Sequence, residues 1–258
     1  MFNEFISTNF LLLTIAAFFL GLDKGGFRNL AIICMYLLLS ILPSKEVIGI
    51  LAPIYLLGDI VPIVLYRKDI NLKAVNYFVP LAIVGIMITS FFASNIDDQK
   101  FTIFISFFIL LMVIMVSYQE INKYLNKKRD VPKKDRALSK PLTLFLSFMA
   151  GITTVSNAAG AITCIYFFKK TNKKEAFVGS SALFFFTLNL TKIIIFIFFW
   201  KNISLDTLQI TLSMMVGLFA GIGASIFLMK IIPQKIYNII VLISVYYVGI
   251  MLFVKNVL

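Results

Sequence analysis

Two short stretches of the 258-residue chain carry polar groups inside otherwise apolar surroundings. The first is Gly21-Leu22-Asp23-Lys24-Gly25-Gly26-Phe27-Arg28, followed by Asn29, with three glycines and three charges in eight residues. The second is Gly151-Ile152-Thr153-Thr154-Val155-Ser156-Asn157-Ala158-Ala159-Gly160. Lys24 and Arg28 offer two cations, and Gly25 and Gly26 leave backbone N–H groups open. Asn29, Thr153, Thr154, Ser156 and Asn157 add neutral hydrogen-bonding groups. A half-helix that starts just after the first stretch aims the positive end of its dipole at the same place. Such a set suits a small oxyanion. The alternative is local: Lys24 pairs with Asp23 and the two only stabilise a turn. Intramembrane charge is expensive and usually functional, which favours the anion reading.

A second group consists of Asp59, Asn189 and Lys192, all inside apolar runs. Lys192 lies about one helical turn beyond Asn189. Either Asp59 and Lys192 form a buried pair, or Asp59 exchanges a proton or binds a cation during transport. A coupling ion, proton or sodium, is compatible with the second option.

The elements that must hold these groups are apolar segments at roughly 5–42, 47–66, 74–94, 101–118, 141–168, 175–200, 207–229 and 236–254. A polar connector, Gln119–Lys140, holds eight basic residues and divides the chain. Runs of about 18 or more apolar residues read as membrane spans. The composition agrees, with 60% hydrophobic and only 14% charged residues. The fold class expected is an all-α integral membrane protein in a bacterial inner membrane. Basic residues outnumber acidic ones, 24 to 12, but they cluster in short connectors, which is a cytoplasmic-loop pattern and not a nucleic-acid footprint. With two cysteines and no histidine, a structural zinc site and a disulfide scaffold are both excluded, and no metal or cofactor is expected. No nucleotide-binding motif is present, and Phe5–Leu20 lacks the flanks of a removed signal peptide.

The halves repeat one another. Tyr66-Arg67-Lys68-Asp69-Ile70-Asn71-Leu72 matches Phe199-Trp200-Lys201-Asn202-Ile203-Ser204-Leu205. Lys45-Glu46 matches Lys174-Glu175, Gly21 matches Gly151, Gly49 matches Gly179, Asp59 matches Asn189, and Gln99-Lys100 matches Gln234-Lys235. The expected organisation is a first repeat over 1–118, a basic cytoplasmic connector over 119–140 and a second repeat over 141–258. Segment one is too long for one span. Its roughly 38 residues would reach about 57 Å, against a hydrocarbon core of about 30 Å. If segments one and five are broken or re-entrant hairpins, each repeat crosses three times and the repeats are inverted. One side then collects three basic residues from 67–73, the connector's eight, four from 169–174 and two from 230–235, or 17, and the other keeps 4. With eight full crossings the split is 13 to 8. The positive-inside rule prefers the hairpins and puts both termini outside the cytoplasm. The two polar breaks would then enter from opposite faces and meet near the midplane. Pro43, Pro53, Pro62 and Pro80 fit kinks or helix ends, and Gly217, Gly221 and Gly223 read as close helix packing.

On the break Gly21–Arg28, the apolar helix ending before Pro43, the Glu46…Gly49 entry, Tyr66–Leu72 and the second copy from Gly151 through Gly179-Ser180-Ser181-Ala182, the chain resembles the sulfite exporter TauE/SafE family over about residues 10–254. The resemblance implies a membrane transporter, with sulfite or an organosulfonate as the class of substrate. Asp23-Lys24 depart from the small residues common there, as do Ser156-Asn157 in the second break. Two other readings are a thiol–disulfide electron carrier using Cys34 and Cys164, which fall at the repeat spacing, and a non-transporting scaffold. A homodimer is compatible with the sequence. The partners expected are the lipid bilayer and a small anion; nucleic acid is not among them.

Overall fold

The computed structural model describes residues 2–27, 30–94, 97, 100, 107, 138–155, 157, 159–171, 173–233 and 236. All of segment 101–118 but Phe107, all of segment 236–254 but Ile236, nearly all of the central connector, and Arg28, Asn29 and Ser156 lie outside the described residues.

Every described element is helical. They are α1 (Phe2–Gly25), α2 (Ala31–Leu39), α3 (Ser44–Leu65), α4 (Leu72–Ser94), α5 (Lys140–Val155), α6 (Gly160–Lys170), α7 (Lys174–Ile195, prolonged by a π-turn at Phe196–Trp200) and α8 (Leu205–Ile231). Five of these helices are long and apolar enough to cross a membrane. Segments one and five are both broken, at 26–30 and at 156–159. The arms that follow the breaks are short. α2 has 9 residues and α6 has 11, so at 1.5 Å per residue each reaches only about half of a 30 Å core. Pro43 stands at the N-cap of α3, while Pro53, Pro62 and Pro80 lie inside α3 and α4.

The helices pack in matched pairs. α1 runs along α8 and α4 along α5; α3 lies against α7 at the centre, with α3 on α8 and α4 on α7 beside it. Exchanging the halves (α1 with α5, α2 with α6, α3 with α7, α4 with α8) maps this set onto itself. The glycines explain how close the pairs come. A Cβ on Gly21 would lie 2.2 Å from the Leu218 carbonyl oxygen, and one on Gly221 2.1 Å from that of Phe18. Gly217 meets the Thr14 carbonyl in the same way. On the other pair, Gly151 meets the Ala82 carbonyl and Gly85 that of Phe148. These are backbone-to-backbone crossings of the kind small residues permit between apolar helices. Gly223 differs from these: among the described residues nothing lies within 4 Å of its added Cβ.

The repeated connector motifs have a structural use. Gly49 faces the Asn202 carbonyl, and Asn202 Nδ2 donates to the Lys45 carbonyl at 2.8 Å. In the other half, Gly179 faces Tyr66 and Ile70, and Asn71 Nδ2 donates to the Lys170 carbonyl at 3.0 Å. Each half thus docks its connector on the start of the other half's central helix. Phe78, Tyr166, Phe167 and Phe184 close the core where α4, α6 and α7 meet, with Phe78 and Tyr166 stacked 3.9 Å apart. Large apolar side chains such as Phe91, Phe199 and Leu205 cover the outside, as a lipid-facing surface requires.

Candidate substrate cavity

The break after α1 is built as a Schellman cap. The Phe27 N–H donates to the Leu22 carbonyl at 2.9 Å and the Gly26 N–H to that of Asp23 at 3.2 Å. Gly26 has φ +140°, which its missing Cβ allows, and Phe27 packs on Leu22. The backbone donor of Gly26, expected to be open, is therefore taken by the cap. Gly25 and Gly26 also turn toward α8, where their absent side chains make room for Ser225 and Met229. Their role here is in packing.

The second break ends α5 with Asn157 in the left-handed region, φ 56°, its N–H donating to the Thr154 carbonyl at 2.9 Å. Asparagine is the usual substitute for glycine at such a position. The Thr153 and Thr154 hydroxyls donate back to carbonyls one turn earlier, at Met149 and Ala150. They are thus not the free donors that the sequence suggested.

Both breaks meet at one cavity. Its lining includes Asp23 and Lys24 from the first break, Thr154 and Asn157 from the second, and Tyr55, Phe185 and Asn189 from the central helices. Ala31 and Ile32, at the start of α2, and Ala159 and Gly160, at the start of α6, complete it. Two short helices thus open toward one space, and neither has a side-chain cap on its own N-cap residue. The nearest substitute is Asp23, whose Oδ1 accepts from the Ala31 N–H at 3.4 Å. Water centres have about 40 Å³ of room, enough for roughly three water molecules.

The ion pairs differ from the sequence reading. Lys24 Nζ reaches Asp59 Oδ1 at 2.7 Å, while Asp23 receives the backbone of α2. Asp59 Oδ2 accepts from Asn189 Nδ2 at 3.0 Å. Lys192 turns away from Asp59: its Nζ donates to Asn157 Oδ1 at 2.7 Å and to the Thr154 carbonyl at 3.2 Å. The reason is positional. Lys192 is a turn beyond Asn189, which already fills the Asp59 contact, and the C-terminal carbonyls of α5 offer a favourable place for a cation. Lys24, Asp59, Asn189 and Lys192 are all buried. Tyr55 lies between the two ammonium groups, its ring centroid 4.6 Å from Lys24 Nζ and 5.6 Å from Lys192 Nζ. Two buried polar atoms of lining residues, the Tyr55 hydroxyl and Asn157 Nδ2, have no hydrogen-bond partner among the described residues. Because Lys192 holds Oδ1, the Asn157 amide presents Nδ2 as its remaining donor.

Among the described residues the cavity is less one-sided in charge than two cations alone would make it, since Asp23 and Asp59 accompany Lys24 and Lys192. Tyr55 and Phe185 were missed by the sequence reading, yet a signal existed. Each stands four residues before Asp59 or Asn189, on the same helix face, and the two match at the repeat spacing. Cys34, buried on α2, and Cys164, half-buried on α6, are not joined in a disulfide.

The family model for sulfite exporter TauE/SafE matches residues 10–252. The chain belongs to the sulfite exporter TauE/SafE family. As a member it is a multi-pass membrane transporter acting on a small anion, and the family consists of transporters and not of enzymes. No match was found among curated proteins or solved structures. The TauE/SafE match spans all eight described helices except the first residues of α1, so it covers the whole cavity.

Proposed function

We propose that this TauE/SafE protein is a secondary transporter that moves a sulfur oxyanion, sulfite or a small organosulfonate, by alternating access around the cavity between the two breaks. The observation that carries this reading is the pair of orphaned buried donors, Tyr55 Oη and Asn157 Nδ2, on a cavity into which two half-helices open. Buried polar atoms normally have partners, and each orphan leaves a desolvation penalty of about 1–3 kcal/mol that a bound acceptor removes. Helix N-termini favour negative charge, and Lys24 adds a cation. A compact anion with three oxygens on one sulfur fits so small a space better than a long carboxylate does. The phenyl and phenol faces of Phe185 and Tyr55 suit a small apolar substituent on a sulfonate.

The matched helix pairs support the two-repeat organisation, 1–118 and 141–258 around a cytoplasmic connector. The excess of basic residues on one side supports inverted halves in a bacterial inner membrane, with both termini outside the cytoplasm.

The test is counterflow in proteoliposomes with sulfite, methanesulfonate, sulfate and acetate, using wild type and Asn157→Gly. Glycine keeps the left-handed backbone and removes the amide, both its unpartnered Nδ2 and the Oδ1 that accepts from Lys192, which keeps the Thr154 carbonyl. The expected outcome is saturable flux of sulfur oxyanions over acetate in wild type, and loss of at least about tenfold in the variant. Preference for acetate, or equal flux in Asn157→Gly, would overturn the proposal.

A further inference from the structure

Asp59 occupies an unusual position. It is completely buried on a helix that packs against α1, α2, α7 and α8, and among the described residues it accepts from one charged and one neutral donor from different repeats. The groups around it can be named helix by helix. α1 brings Lys24, α3 itself brings Tyr55, and α7 brings Asn189 and Lys192, while Asp23 of α1 and Cys34 of α2 stand on the far side of this group, beside Tyr55. The ionisable residues of α8, Asp206 and Lys230, stand in its first and last turns, away from this level.

Lys24 serves two neighbours at once. It lines the cavity, and its ammonium holds Asp59 Oδ1. An oxyanion in the cavity therefore meets a cation whose charge is already matched. An anion gains the whole of that charge when it takes the place of Asp59 on Lys24. That takes from a carboxylate in a dry interior the ammonium that pairs with it among the described residues, a costly loss for a buried charge. A proton on Oδ1 removes the cost, and the carboxyl group still accepts from Asn189 Nδ2 through Oδ2. The other half already holds this neutral arrangement: at the repeat position of Asp59 it carries Asn189, a close isostere of a protonated aspartate.

We propose that Asp59 is the proton-binding residue of the transport cycle, taking up one proton as a sulfur oxyanion replaces it on Lys24 and releasing it when the anion leaves. The proton comes from water to Oδ1 and returns to water, and only hydrogen bonds and the ion pair are exchanged. Anion and proton then occupy the protein together, so transport is coupled to the proton gradient. The proposal rests on the anion reading above and adds to it the identity of the coupling ion and its carrier.

Linkage gives the test. Methanesulfonate and sulfate, whose own charge stays constant near neutral pH, are titrated calorimetrically into purified full-length protein from about pH 6 to about pH 8. Where Asp59 is ionised in the empty protein, wild-type affinity falls as pH rises, approaching about tenfold per pH unit for one proton per anion. Asp59→Asn binds with no such slope. Independently of any variant, wild type in weak buffer with a pH dye takes up about one proton per anion bound. Binding with a flat slope and no proton uptake overturns the proposal while leaving the anion site intact. So does a wild-type slope in Asp59→Asn, or an affinity that follows sodium at fixed pH. Failure of every sulfur oxyanion to bind or be transported is a different result, and it overturns the anion reading beneath.

Discussion

The crossing of α4 and α5 positions the second break, and one methyl group tests it. In Gly151→Ala the new Cβ would stand 2.0 Å from the Ala82 carbonyl oxygen and 2.7 Å from its carbon, where ordinary contact begins at 3.4 Å. The shortest gap must grow by about 1.4 Å, and its atoms are backbone, which cannot swing aside. Gly85 faces the same crossing from the other helix, with the Phe148 carbonyl 2.5 Å from its own Cβ position, so there is no slack on either side. Overpacking of this kind costs about 1–3 kcal/mol, more than the roughly 1 kcal/mol that alanine returns in helix propensity. Gly151 is also one turn before Thr154, so parting the helices moves the carbonyl and the Asn157 amide that hold Lys192. The expected result is a lower Tm in detergent together with weaker oxyanion binding. Gly223→Ala is the control: its Cβ meets nothing within 4 Å among the described residues, and its Tm should stay level or rise. A Gly151→Ala protein as stable as wild type with unchanged binding would refute the backbone contact. Equal damage from Gly223→Ala would show that the loss belongs to glycine replacement in general.

Other substitutions separate the roles of the cavity residues. Tyr55→Phe removes an unpartnered hydroxyl, so stability should hold or improve, while sulfur-oxyanion affinity falls by about 0.5–1.5 kcal/mol in calorimetry. Lys24→Met leaves Asp59 without its ammonium and should cost about 3–5 kcal/mol of stability, read as a fall in Tm. Adding Asp59→Asn to Lys24→Met should recover most of that stability in the same assay, yet not the anion binding. Cys34→Ser and Cys164→Ser should transport like wild type in proteoliposomes, and loss of flux in both would revive the thiol–disulfide alternative.

Much of this architecture could be read from periodicity and spacing. Length against membrane thickness required segment one to break, and the glycines and charges near residue 25 marked where. The repeat spacing located the second break in a segment whose length alone did not require one. Segments one and five each became two helices whose ends lie within a few residues of the reading. The motif matches also had a cause: Gly49 and Gly179 are the seats for the opposite half's connectors.

The partners of the buried charges could not be read in this way. Spacing put Asn189 and Lys192 on one helix and Asp59 on another, but which donor reaches which acceptor depends on how α3 and α7 are rotated and how far they overlap. Lys24, from a third helix, took Asp59, and Lys192 went to the end of α5. Likewise, glycines expected to expose backbone donors are engaged in a helix cap and in contacts with α8, and threonine hydroxyls turn back to their own helices. A chain records where polarity sits along its length, because that follows from composition and period. Pairing inside an apolar core follows from distances of a few ångströms between helices far apart in the chain, and only the folded arrangement sets those.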